Sequence, residues 1–270
     1  MKIKYEAVRE YYSLRARAYD HQKARTWQKE SGFEPEILEK IKEKIDKKSS
    51  PPILELGVGT GRVAIPLIKS KMVEIMGIDL CLEMIRLAQN KAVKHSCAES
   101  LKLFLADGEK LPFKNKTFKT VICTSTLHYL NHKIVLFDIS RVLQMGGSLL
   151  LGDLCVHEED ESAFLQSIEK SLSPIHREYF KISVLKNMLR AFGFEVLDTE
   201  VFKYFKKFDS LIEDKASYFP ELSLDEFYKR INNATPEEKR IYSLSESGSI
   251  GKEDGLSLYY GLIYAQKTKL

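Results

Sequence analysis

What this chain lacks narrows its class before any motif is read. No apolar run approaches the roughly 18 residues that cross a bilayer. The opening residues, Met1 to Glu6, are charged and carry no signal-peptide apolar segment. A cytoplasmic protein without a membrane span is the expectation. Four cysteines, Cys81, Cys97, Cys123 and Cys155, show no CxxC or other tight ligand spacing. No metal site is expected, and reduced thiols in a core are. Charge of one sign is in small excess: 42 Lys and Arg against 38 Asp and Glu leave +4. That excess helps attract an anionic substrate but falls far short of a nucleic-acid footprint. There is no internal repeat. No Gly-Lys-Ser/Thr follows the glycine-rich turn, which excludes a Walker loop.

What is present is the material of a globular protein, 44% hydrophobic and 30% charged over 270 residues. That length suits one large domain, or a domain with a substantial insertion. The organising stretch is Ile53-Leu54-Glu55-Leu56-Gly57-Val58-Gly59-Thr60-Gly61-Arg62. A short apolar run ends in a glycine-dense turn and reopens as an amphipathic segment, as a buried strand passes to a helix beneath a ligand. Glycine lets the backbone turn sharply and approach that ligand without a side chain between them.

In order along the chain, residues 1–30 have apolar and aromatic residues at helical spacing, and Glu34 to Lys48 reads as a second helix. Ser49-Ser50-Pro51-Pro52 breaks it. Strands are then expected at Ile53 to Leu56, Val73 to Ile78, Leu101 to Ala106, Thr120 to Thr124 and Ser148 to Leu151, with helices between most of them. Such alternation implies parallel pairing in an α/β layered fold, with ligands at the carboxyl ends of the strands. Beyond Asp153 the rhythm breaks. Residues 155–180 read as a helical insertion and 205–250 as helical pieces. Phe194 to Val201 and Leu256 to Ala265 are expected to pair antiparallel.

The glycine spacing departs from a dinucleotide fingerprint, because Arg62 stands where G-x-G-x-x-G needs its third glycine. Glu55 also repels a pyrophosphate and suits a cationic group. The run Glu-x-Gly-x-Gly-Thr-Gly resembles motif I of the class I S-adenosylmethionine-dependent methyltransferases. Gly77 to Met84, Leu105 to Phe113, Phe118 to Leu130 and Arg141 to Leu150 resemble later segments of that family, the last two those of its UbiE-like branch. Cys81-Leu82 and Gln144-Met145 depart from the usual Ser-Pro and Lys-Pro pairs. The resemblance covers roughly residues 35–155.

It implies a Rossmann-like doubly wound sheet in the order 3-2-1-4-5-7-6, mostly parallel with an antiparallel last strand. The methyltransferase domain would span 35–204 and 256–270. An N-terminal helical flap would occupy 1–34, and insertions at 155–180 and 205–255 would form a substrate cap. The cofactor implied is S-adenosyl-L-methionine, leaving as S-adenosyl-L-homocysteine. The resemblance assigns Asp79 to the ribose hydroxyls and Asp107 to the adenine amino group, with Gly108 beside the ring. Tyr12 and Tyr19 would cover the methionine portion. Glu55, Gly57, Gly59, Gly61, Leu80, Met84 and Thr124 complete the expected cofactor set.

Methyl transfer is an in-line displacement, so the protein chiefly positions reactants and excludes water. His128, after the fourth strand, is a candidate general base near neutral pH. Asp153, at the end of the fifth, is a second candidate. Each also has a structural reading, in packing and in capping. The aromatic insertions suggest a small-molecule or lipid-like acceptor, such as a quinone precursor or phenolic metabolite. Methylation of RNA or protein is the alternative, and a non-catalytic cofactor-binding partner subunit a third. No Asn/Asp-Pro-Pro-Tyr follows the fourth strand, which disfavours amino methylation of adenine or glutamine.

Overall fold

A computed structural model of the chain describes residues 6–16, 35–46, 51–173, 175, 178–216, 224–245 and 253–269. Among them, eight strands form one sheet. Its path runs β3-β2-β1-β4-β5-β8-β7, and a two-residue strand, β6, pairs with the end of β5. The strands are β1 (Ile53–Leu56), β2 (Ile75–Asp79), β3 (Leu101–Leu105), β4 (Phe118–Thr124), β5 (Leu143–Val156), β6 (Phe180–Lys181), β7 (Phe194–Lys207) and β8 (Gly255–Lys267). Numbered over the seven strands expected from the sequence, the path is the order 3-2-1-4-5-7-6.

β1 lies at the centre because all four of its residues are buried, as a parallel strand covered on both faces requires. It pairs in parallel with β2 on one side and β4 on the other. The chain steps outward from β1 to β2 and β3, then returns across β1 to β4. The carboxyl ends of β1 and β4 therefore flank the switch point, where such sheets open a crevice.

Side-chain alternation divides the core into two layers. Leu54, Val121, Cys123, Leu149 and Leu151 join α5 (His132–Val142), α6 (Phe164–Leu172) and α7 (Ile182–Ala191). Ile53, Ile122 and Leu150 face the opposite way, with α2 (Pro35–Lys44) and α3 (Ala64–Lys71). Glu55 shares the face of Ile53, so a carboxylate enters an otherwise apolar layer. α4 (Leu82–Lys94) covers β2 and β3. α5 begins where the Asn131 side chain accepts from the amides of Lys133 and Ile134, a helix N-cap.

Three strands run further than their apolar stretches suggest. β5 pairs antiparallel with β8 from Ser148 to Cys155. β7 and β8 stay paired from Phe194↔Lys267 to Lys207↔Gly255, with a bulge between Val196 and Asp198. Asp153 and the charges of β7 interrupt the apolar pattern without stopping the ladder, because backbone pairing continues through them. Residues 155–180 accordingly open as strand before α6. The later helical pieces are α8 (Phe208–Ala216), α9 (Leu224–Asn232) and α10 (Pro236–Tyr242), with α9 packed on α6 and α10 on β8. Residues 6–16 form helix α1.

Candidate functional site

The turn after β1 shows why glycine is needed there. Gly57 has φ +73°, and a Cβ on it would lie 2.2 Å from Thr126 Oγ1. Gly59 has φ +54° with nothing within 4 Å of where its Cβ would be. The first position is closed by protein, and the second leaves backbone facing open space. The amides of Gly57 and Val58 both donate to Ile78 O at 2.9 Å, tying this turn to the end of β2.

Asp79 ends β2 and completes the tie. Its Oδ2 accepts from the Gly59 amide at 2.8 Å, and its Oδ1 from the Cys81 amide at 2.9 Å. Burial pushes the Asp79 carboxyl up, against the opposing pull of those amides. Glu55 is 2% exposed, and its Oε2 has no hydrogen-bond partner. Burial pushes its pKa up to about 8, offset in part by the Arg62 charge and the Ala64 amide and reinforced by Asp79. A buried carboxyl oxygen without a partner is costly and calls for a donor or a cation.

A cavity at these strand ends gathers most of the expected set. Tyr12, Glu55, Gly57, Gly59, Asp79, Leu80, Met84, Gly108 and Thr124 line it. Gly61 does not; a Cβ there would press on Ile65 at 2.8 Å, so it serves the approach of α3. Asp107 is also absent from the wall, although Ala106 and Gly108 on either side belong to it. Its Oδ1 accepts from the Glu109 amide at 2.8 Å. Tyr19 lies outside the described residues.

His128 and Asp153 do not line this cavity, but the fold brings them together. Asp153 Oδ1 stands 2.7 Å from His128 Nδ1, and Asp153 Oδ2 accepts from the His128 amide at 3.1 Å. They are 8% and 4% exposed. One carboxylate thus holds both the backbone and the ring of the histidine.

Sequence reasoning left several wall residues unassigned. Tyr129, beside His128 on the 3₁₀ turn Leu127–Tyr129, lines the cavity. The Tyr12 hydroxyl donates to the Tyr129 hydroxyl at 2.9 Å, and their rings meet edge to face at 5.6 Å. His128 packs against Tyr129 and Tyr179, with ring centroids 4.0 and 5.2 Å away. Burial raises both phenols well above their ordinary pKa. Arg62, Ser125 and Thr126 also line the wall. Ser125 sits at φ +50°, and its amide donates to Gly152 O at 2.7 Å. This left-handed serine lets the chain leave β4 and turn at once into the cavity wall. Its only sequence signal was its place inside the fourth-strand segment.

Comparison with known proteins agrees with this architecture. Residues 53–147 match a family described as a methyltransferase domain. The chain is 26% identical to O-methyltransferase rstn1 of Aspergillus nomiae, over 60% of this chain and 72% of that protein. It is 28% identical to phosphoethanolamine N-methyltransferase 1 of Triticum aestivum, over 46% of this chain but only 24% of that longer protein. Among solved structures, a putative methyltransferase of Bacillus halodurans shares the fold with a TM-score of 0.75 at 20% identity, covering 86% of this chain and 99% of that one. Residues 53–147 are thus a methyltransferase domain, and the fold around them is that of the class I S-adenosylmethionine-dependent methyltransferases. Its methyl donor is S-adenosylmethionine, and the unpartnered Glu55 oxygen in the cavity wall suits that cationic cofactor. The match does not single out the UbiE-like branch. No helix among the described residues is long and apolar enough to cross a membrane.

Proposed function

We propose that this enzyme methylates a small-molecule acceptor through a hydroxyl of the phenolic or quinone-precursor type. The observation that carries the reading is the buried His128–Asp153 pair, beside a tyrosine that lines the donor cavity. Bound S-adenosylmethionine supplies an electrophilic methyl group on a sulfonium. Asp79 would hold the ribose hydroxyls, and Glu55 the positive charge of the methionine portion. The backbone around Gly57 and Gly59 would pass beneath the cofactor. Gly108 would let the chain approach the adenine, with Asp107 as the nearest carboxylate to its amino group. Tyr12, joined to Tyr129, would close the methionine end and keep water out, and Tyr19 is proposed to assist it.

A hydroxyl acceptor arrives protonated and needs a base. Asp153 fixes the proton of His128 on Nδ1, so Nε2 receives the acceptor proton, as in other carboxylate-oriented histidines. The aromatic residues of 155–180 and 205–255 would enclose the acceptor, with 1–34 as a flap over it. Relatives named for an O-methyltransferase and for phosphoethanolamine methylation favour small acceptors over RNA or protein.

The experiment is transfer of labelled methyl into a metabolite extract, run beside an RNA fraction and a protein fraction. Label in a small methyl ether is the expected result. Label only in RNA or protein would overturn the acceptor class.

A further inference from the structure

At the opposite end of the sheet from the donor cavity lies a groove of about 660 Å³ with a different chemistry. It is formed by the turn before β4, the last turns of α5 and α7, and the end of β8. Lys116, Arg141, Arg190, Lys267 and Lys269 line it, and no acidic residue among the described residues does. Five cations without a carboxylate in one concavity is far from the interspersed charge of an ordinary surface.

Two of the five have evident structural work. Arg141 pairs with Asp138 and donates to the carbonyls of Leu111 and Phe113. Lys267, 3% exposed, donates from Nζ to Ser140 O at 2.5 Å and Leu143 O at 3.1 Å, satisfying carbonyls at the end of α5. The other three are spared such bonds, although Arg190 also stands in the last turn of α7, where a cation complements the helix end. Lys116 and Lys269 are exposed and make no ion pair with a described residue, and among the described residues exposed Arg190 donates only to Asn187 Oδ1. Their backbones are nonetheless fixed. The Lys116 amide donates to Arg141 O at 2.9 Å, and the Lys269 amide to Gly193 O at 3.1 Å. Burial and the nearby charge of Lys116 both disfavour the Lys267 ammonium, a tension that an anion in the groove would relieve.

An apolar element sits in the same wall. Phe137 lines the groove while 62% exposed, an aromatic face offered to solvent beside the cations. Lysine and arginine suit phosphate oxygens, and an exposed ring suits a planar base. We infer that this groove is a second ligand site, separate from the donor cavity, for a small nucleotide bearing two or more phosphates. Lys116, Arg190 and Lys269 hold the phosphates, and Phe137 stacks on the base. The volume lies within the ordinary range of ligand sites, about 300–1,000 Å³.

The test is calorimetric titration of ADP into the full chain already saturated with S-adenosylhomocysteine, so that the donor cavity cannot account for binding. Saturable one-site binding is expected. Lys116→Glu/Lys269→Glu should weaken it about tenfold or more, and Phe137→Ala about fivefold or more, with the S-adenosylhomocysteine affinity of both variants unchanged. These are exposed positions, and their retained donor binding reports that the variants fold. Three results would overturn the inference: no ADP binding at millimolar concentration, equal binding by the charge-reversed variant, or pyrophosphate binding as tightly as ADP. An RNA oligonucleotide that binds more tightly than ADP and displaces it would overturn the small-nucleotide assignment. Failure of S-adenosylhomocysteine itself to bind would count against the donor site instead, and would be seen before ADP is added.

Discussion

Two regions of this molecule hold acids away from solvent in opposite circumstances. Around the β1 turn, Glu55 leaves one carboxyl oxygen without a partner, and the bonds recorded to Asp79 come from backbone amides. In the region after β5, the acids are saturated. Asp160 accepts from the Tyr242 hydroxyl at 2.6 Å, from Ser162 and from the amides of Phe164 and Leu165. Glu238 accepts from Arg230, Ser162 and the Thr235 amide, closing the capping box of α10. Burial raises all four, but these bonds outweigh it in the second region alone. Glu55 is pushed up to about 8, whereas Glu238 is held down at about 2 and Asp160 below its usual value. In these two regions saturated burial fits scaffolding, and the open Glu55 oxygen fits the cavity that it lines.

Five substitutions can break or sharpen that contrast. The largest effect is expected from His128→Ala, which should lower kcat about 100-fold or more while leaving donor affinity within a few-fold. Asp153→Asn should reproduce much of the loss and alter the pH–rate profile. An unchanged rate would reduce the pair to a packing feature. Next, Glu238→Gln should cost about 3 kcal/mol near neutral pH, read by denaturant unfolding, because it strands Arg230. Donor binding should be untouched.

Glu55→Gln reports on the other side of the contrast, through pH. A carboxyl whose folded pKa is raised binds its proton more tightly in the folded state. Wild-type stability without donor should therefore fall as pH rises from about 4.5 towards 8, by up to roughly 4 kcal/mol, and the variant should lose that slope. Glu238 has the opposite sign. Its depressed pKa supplies stability above about 4.5 that vanishes as pH falls towards 2. Unfolding curves for both variants across pH 3–9 test the two windows together. The smallest effect belongs to Tyr12→Phe. It removes one hydroxyl bond to Tyr129 and should cost about 1 kcal/mol, measured as a few-fold weaker binding of S-adenosylhomocysteine.

The same contrast explains what the sequence could disclose. Glu55, Gly57, Gly59 and Asp79 line the cavity from one strand–helix–strand unit, so their spacing along the chain already carries their geometry. Asp107 is less direct, because its Oδ1 accepts from the Glu109 amide while Ala106 and Gly108 beside it line the cavity. His128 and Asp153 are joined only by the β4–β5 ladder, and single residues 25 apart give no signal of contact. Tyr129 was hidden by its place beside that histidine. The lengths of β5, β7 and β8 were illegible for a related reason. Backbone pairing with a distant strand carries them through charged positions where no apolar pattern survives.

The central claim is that Glu55 is kept unsatisfied for the methyl donor. Its most direct test is calorimetric titration of S-adenosylmethionine at pH 7 in two buffers of different ionisation enthalpy. At that pH the free enzyme holds a proton on Glu55, and a cation placed against it expels that proton. The wild type should release close to one proton on binding, and Glu55→Gln should release none. Equal proton release by the two proteins would contradict the account.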